Sequence, residues 1–206
     1  MDQGEYDGGI AYIDEQLTGL IAALRTRGIL DHTIVVIASD HGELFGEHDL
    51  FGHGNALYWP LLHVPLVIRY PGRVPAGRRL AQTVSLRDVP ATILELAGLP
   101  DARIEGTSLA ALWDGRPEPA VSAAVSFVEK GRIWWGREPA RTDSIAALTA
   151  DGWEFIRTFK GGEEVFALTD DRRGERPVTA TDSVEARREA MRAALLRRLQ
   201  PADRER

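Results

Sequence analysis

Residues 35–54 read VVIASDHGELFGEHDLFGHG. A β-branched apolar run stops abruptly at Ser39-Asp40-His41-Gly42, and His48 and His53 follow closely. The chain has only five histidines, and three of them fall in this stretch, among the carboxylates of Asp40, Glu43, Glu47 and Asp49. Two readings fit. The stretch is a polar loop capping a buried strand, or it is part of a metal-assisted active site.

The flanks decide what kind of strand this is. Thr33 to Ala38 (TIVVIA) is a continuous apolar run, the pattern of a strand buried on both faces in a parallel sheet. Ahead of it, Tyr6, Ile10, Ile13, Leu17, Leu20 and Leu24 are spaced four and three apart, which predicts an amphipathic helix with a stripe to bury. Glu5 and Asp7 at its start, Arg25 and Arg27 at its end and Gly28 just beyond suit the helix dipole and a glycine cap. Helix followed by apolar strand predicts an α/β layered fold. Downstream, residues 55–62 read as a short helix, Val64–Tyr70 as a second buried strand, Gln82–Ser85 as a short strand, and Asp88–Ala97 as a helix with Pro90 in its first turn.

After about residue 117 the pattern changes. Short stretches near 121–128, 132–135, 144–149, 153–159 and 164–168 are separated by Lys130-Gly131, Asp151-Gly152 and Gly161-Gly162. That predicts a small antiparallel sheet. Residues 170–182 read as irregular, and Val184–Leu199 as a basic amphipathic closing helix.

Composition narrows the function classes. The 206 residues are 44% hydrophobic and 27% charged, a globular balance. The net charge of -6 argues against nucleic acid as a partner. The absence of cysteine excludes disulfides, thiolate metal sites and a cysteine nucleophile from this chain. No apolar run reaches membrane-spanning length. The first residues, MDQGEYDGGIAYID, lack the basic region and apolar core of a signal peptide, and cellular location stays open. Oligomeric state is not legible.

In open α/β sheets ligands gather at the carboxyl ends of strands, where Asp40 and His41 stand. A carboxylate oxygen and an imidazole nitrogen together suit a divalent cation. Both can face one ion only if the chain turns, which Gly42 allows. The other reading makes Asp40 a loop cap and His41 a rim histidine. His53, between Gly52 and Gly54, could donate to an oxyanion or protonate a leaving group, or be a surface loop residue. Glu47 and His48 could orient metal ligands or brace the loop, His63 reads as structural, and Trp134 and Trp135 as core and rim packing rather than a ligand platform.

In combination the chain resembles the sulfatase family of the alkaline-phosphatase-like superfamily. The resemblance runs through YDGGIAYIDEQLTGLIAALRTRGILDHTIVVIASDHGE (6–43), HVPLVIRYPG (63–72), VSLRDVPATILELAGLP (84–100), EGTSLAALWDG (105–115) and WEFIRTFKGGEEVFALTDD (153–171). It implies a partial alkaline-phosphatase-like sandwich over residues 1–117, a mostly parallel sheet flanked by helices. An antiparallel β subdomain with a closing helix would follow over 118–206. It also implies hydrolysis of sulfate esters, of small molecules or carbohydrates, with some relatives cleaving phosphate or phosphonate esters. One divalent ion is implied, Ca2+ first, with Mn2+ or Mg2+ as alternatives, and Asp40 and His41 match the family's metal-binding pair. His53 lies where many sulfatases carry a lysine that contacts the ester's sulfate oxygens. The change keeps a cationic donor whose charge depends on pH, and it brings a phosphoester-cleaving relative into view.

In sulfatases the nucleophile is a formylglycine made from a Cys/Ser-x-Pro-x-Arg motif, and a pair of upstream aspartates completes the metal site. No such motif occurs in this sequence. The resemblance therefore leads us to expect a C-terminal fragment, a truncated gene product or one part of a split protein, catalytically incomplete by itself, with an apolar face left open. A non-catalytic binding module is the reading from another class.

Overall fold

The computed structural model describes residues 2–54, 56–101, 103–116, 123–128 and 144–199. It divides into two compact units, the first being Met1–Asp40, Pro65–Ala81 and Leu86–Pro119 and the second His41–Val64, Gln82–Ser85 and Ala120–Arg206. The change in sequence character falls near residue 117, but residues 41–64 and 82–85 group with the later part.

In the first unit, helix α1 (Gln3–Thr26) starts at a capping box. Asp2 Oδ1 accepts from the Glu5 backbone N–H at 2.8 Å, and Glu5 Oε2 accepts from the Asp2 N–H at 3.1 Å. The predicted stripe exists but is not buried: no residue of α1 is fully buried, and Ile10, Ile13 and Leu20 are each more than half exposed. Strand β1 (Val35–Ala38) pairs with β4 (Leu66–Arg69) antiparallel, Val35 opposite Arg69 and Ala38 opposite Leu66. Here the expectation of a parallel sheet is corrected. An apolar run reports burial and is silent on direction. Direction follows from the connection, because the chain leaves at Ala38 and re-enters beside it at Leu66. Neither strand is buried on both faces; Val67 is 55% exposed. Helix α3 (Asp88–Leu96) is tied to the segment after it by fully buried Thr92. Its hydroxyl donates to Asp88 O at 2.6 Å and accepts from the Leu109 N–H at 2.8 Å.

The second unit is built on the antiparallel meander β5 (Ala123–Val128), β6 (Ile145–Ala150), β7 (Trp153–Thr158) and β8 (Glu163–Ala167). Asp151 and Gly152 both take positive φ between β6 and β7, the two-residue turn that matches strand twist. Side-chain alternation gives the sheet two buried faces. Ala146, Leu148, Phe155 and Val165 pack with Met191 and Leu195 of helix α4 (Asp182–Leu199). Arg192 of α4 holds Glu163 through two bonds of 2.7 and 2.5 Å. On the opposite face Ile145, Ala147, Ile156 and Phe166 pack with Leu44, Ala56, Leu57, Tyr58 and Leu61. This second core is why residues 41–64 belong with the meander.

Within 41–64 the chain makes a two-residue hairpin, β2 (Leu44–Phe45) with β3 (Phe51–Gly52), and the short helix α2 (Trp59–Leu62). Gln82–Ser85 forms no strand, since no described strand completes a ladder with it. Lys130-Gly131 and the stretch 132–135, with Trp134 and Trp135, lie outside the described residues. No helix among the described residues is long and apolar enough to cross a membrane.

Candidate functional site

Three side chains from the opening stretch converge: His41, Glu43 and His53, each offering one ligand atom within 4.8 Å of the others. The local chain explains why. His41 and Glu43 are two residues apart, the spacing that puts side chains on one side of an extended chain. The hairpin register sets Leu44 opposite Gly52, so Glu43 and His53 are the next pair outward. His53 Nδ1 lies 2.7 Å from Glu43 Oε2, and the His41 and His53 rings stack with centroids 4.1 Å apart. His41 Nδ1 is bonded to the Gly42 carbonyl at 2.8 Å. The Glu43 side chain is 12% exposed and that of His53 51%, so a sheltered carboxylate holds an accessible imidazole.

The structure thus brings two of the three sequence-predicted residues, His41 and His53, together. Asp40 is the last residue of the other unit's first segment. Glu43 was missed by sequence reasoning. The signal that could have found it is the His-x-Glu spacing ahead of a hairpin whose far arm returns a histidine.

Gly42 serves a different purpose from the turn foreseen for it. It is not among the glycines with positive φ. Its N–H donates to Leu61 O at 2.8 Å, and a Cβ on it would overlap the backbone carbonyl of Pro60. The residue permits a close approach of the loop to α2. Gly42→Ala is expected to destabilise the chain by about 1–3 kcal/mol in urea unfolding. Gly54→Ala, where a Cβ meets nothing within 4 Å, should stay within about 0.5 kcal/mol of the parent. Equal effects at the two positions would remove the packing explanation.

The remaining polar residues brace the loop. Glu47 Oε2 accepts from the Phe45 N–H at 2.7 Å. His48 takes a left-handed backbone conformation, bonds the Gly174 carbonyl through Nε2 at 2.7 Å and stacks on Tyr58 at 3.5 Å. The His63 ring stacks on Trp59 at 4.5 Å.

Beneath the loop lies Glu154, fully buried on the face that carries Ile156 and opposite Phe166 in register. Neither of its carboxyl oxygens has a hydrogen-bond partner among the described residues. Burial pushes its pKa up to about 8; the Trp59 backbone opposes this without closing a hydrogen bond, and the charge of Glu164 adds to it.

The family model described as Sulfatase matches residues 3–99. The chain is 38% identical over 168 residues to Arylsulfatase K of Xenopus laevis, covering 78% of this chain and 30% of that protein. Among solved structures, the phosphonate monoester hydrolase of Agrobacterium radiobacter superposes with a TM-score of 0.75 at 28% identity, covering 91% of this chain and 39% of that one. A protein solved in complex with its substrate D-glucosamine-2-N,6-O-disulfate superposes with a TM-score of 0.76 at 22% identity, a likeness of fold, covering 95% and 41%. The chain spans less than half the length of each of these relatives.

Proposed function

The chain belongs to the sulfatase family, and on that premise we propose that it carries part of a metal-assisted site for hydrolysing sulfate esters. The observation that carries the reading is the stack of His41 on His53, which joins a metal-ligand candidate to an ester-contact candidate from a distant point in the loop. Asp40 and His41, neighbours in the chain, are the proposed ligands of a divalent cation, with Ca2+ first and Mn2+ or Mg2+ as alternatives. The donor chemistry fits: a hard carboxylate oxygen beside an imidazole whose Nδ1 is engaged by the Gly42 carbonyl, the outer bond that orients metal-bound histidines. Such an ion, when bound, supplies positive charge to the anionic oxygens of an ester.

The chain's own residues do the rest of the proposed work. Glu43 fixes the His53 ring, and His53 donates to an ester oxygen as charge develops there. Gly42 keeps the loop seated on α2. The nucleophile is not assigned to any residue of this sequence. The substrate is proposed as a small-molecule or carbohydrate sulfate ester.

A second reading, phosphonate or phosphate ester hydrolysis, is favoured by histidine rather than lysine at position 53 and by the likeness to a phosphonate monoester hydrolase. In an enzyme that also carries the nucleophile, assay with 4-nitrophenyl sulfate and with 4-nitrophenyl phenylphosphonate, in Ca2+ or Mn2+, separates the two. Turnover by the 206-residue chain alone would overturn the reading that it carries only part of the site. Independently of turnover, Asp40→Ala is expected to lower bound Ca2+ or Mn2+ in elemental analysis; unchanged metal content would remove the ligand assignment.

A further inference from the structure

We propose that His41, Glu43 and His53 form a second cation site, selective for a borderline transition ion such as Zn2+ and sharing only His41 with the hard-cation pair proposed above. Two imidazoles and one carboxylate are the donor set of open tetrahedral zinc sites, which leave the fourth position to water or a ligand. The same set is poor for Ca2+, which takes six to eight oxygens. The three donors already stand within 4.8 Å of one another.

One pair needs little adjustment, while the stacked His41 and His53 rings, with centroids 4.1 Å apart, must tilt to aim their in-plane lone pairs at one ion. A tetrahedral zinc with bonds of about 2.0–2.1 Å holds its donors roughly 3.3 Å apart. Glu43 Oε2 and His53 Nδ1 are 2.7 Å apart, so an ion replacing the hydrogen bond between them spreads the pair by roughly half an ångström. The Nδ1 bond of His41 to the Gly42 carbonyl directs Nε2 as its donor nitrogen. The backbone is held on both sides. Gly42 is pinned to Leu61 O, and the β2–β3 ladder fixes Glu43 against His53. Both imidazoles lie on exposed residues, so an ion can enter from solvent.

The site goes beyond the ester-hydrolysing reading and stands without it. One consequence does rest on that reading: an ion held by His41 and His53 removes both from the ester site, so Zn2+ inhibits where Ca2+ activates.

The test is calorimetric titration of the 206-residue chain with ZnCl2 and with CaCl2, together with the absorption spectrum of the Co2+ form. We expect a single Zn2+ site and an intense tetrahedral Co2+ spectrum. Glu43→Gln and His53→Ala should each weaken Zn2+ by roughly tenfold or more, and Asp40→Ala should leave it unchanged. His53 is exposed, and His53→Gln provides a second substitution of similar size. Zn2+ affinity that survives both Glu43→Gln and His53→Ala, or a weak octahedral Co2+ spectrum, would overturn the proposal. The two readings fail separately: loss of Ca2+ in Asp40→Ala bears on the ester site, and loss of Zn2+ in Glu43→Gln bears on this one.

Discussion

Replacing Glu154 with glutamine should flatten a steep loss of stability between mildly acidic and mildly alkaline pH. In the folded chain burial pushes the Glu154 carboxyl up to about 8, against an ordinary value of 4.5. The sign follows from proton counting. Between these values the folded state keeps a proton that the unfolded state has released, so stability falls as pH rises. The contribution is fully present below pH 4.5 and lost progressively up to pH 8, beyond which the curve is flat. With about 1.4 kcal/mol for each pH unit in that window, the loss above pH 8 is on the order of 4–5 kcal/mol. That is a large share of the roughly 5–15 kcal/mol that holds a domain together. Urea midpoints measured from pH 5 to 9 should decline in the parent and stay level in Glu154→Gln. Glu154→Met should also stay level and lie higher, since it removes two carboxyl oxygens that close no hydrogen bond among the described residues. Parallel curves for parent and variants would show that Glu154 is not the titrating group. The place of the effect gives it functional weight. Glu154 shares its face of β7 with Ile156, which packs against Leu44, Leu57 and Tyr58, so the charge would form beside Trp59 on the face that residues 41–64 pack against.

The extent to which this was legible beforehand differs between fold and site, for physical reasons. Helix periodicity in α1, the Pro90 first turn and Gly98 end of α3 and the alternating strands of the meander are local patterns, and they placed those elements within a few residues. The Asp-Gly turn between β6 and β7 needed only the left-handed preference of its residues. Strand direction was not local: TIVVIA looks the same in either orientation, and only the return of the chain at Leu66 beside Ala38 makes the pair antiparallel. The open stripe of α1 shows the same limit, because periodicity reports a face with no word on what covers it. In the site, His41 and His53 stood out as histidines beside glycines. Glu43 did not, because its part depends on a hairpin of two-residue strands too short for a periodicity. Glu154 was invisible for a similar reason. In the alternating run WEFIRT it occupies a position that looks solvent-facing until residues 41–64 are seen to cover that face.

In an enzyme that also carries the nucleophile, His53→Ala is expected to lower kcat/KM on a sulfate ester by about 2–4 kcal/mol of transition-state stabilisation, on the order of 30-fold to 1000-fold. The position argues for the upper part of the range. The ring is half exposed, so it can reach a ligand, and it is held from behind by a carboxylate only 12% exposed and by the stacked His41 ring. An oriented donor strengthens its hydrogen bond as negative charge gathers on the departing group, without a cost of reorganisation. His48 is the internal contrast. It is tied to the Gly174 carbonyl and stacked on Tyr58, so His48→Ala should reduce the unfolding midpoint and leave kcat/KM of the folded protein near the parent's. A near-native kcat/KM in His53→Ala would reduce this residue to a loop element. His53→Lys sharpens the question of substrate. A lysine places a compact, fixed cation beside Glu43, the arrangement the resemblance to sulfatases implies at this position. It should recover much of the rate on 4-nitrophenyl sulfate and lower the relative rate on the phosphonate. A His53→Lys variant with an unaltered ratio of the two rates would mean that position 53 does not choose between sulfur and phosphorus.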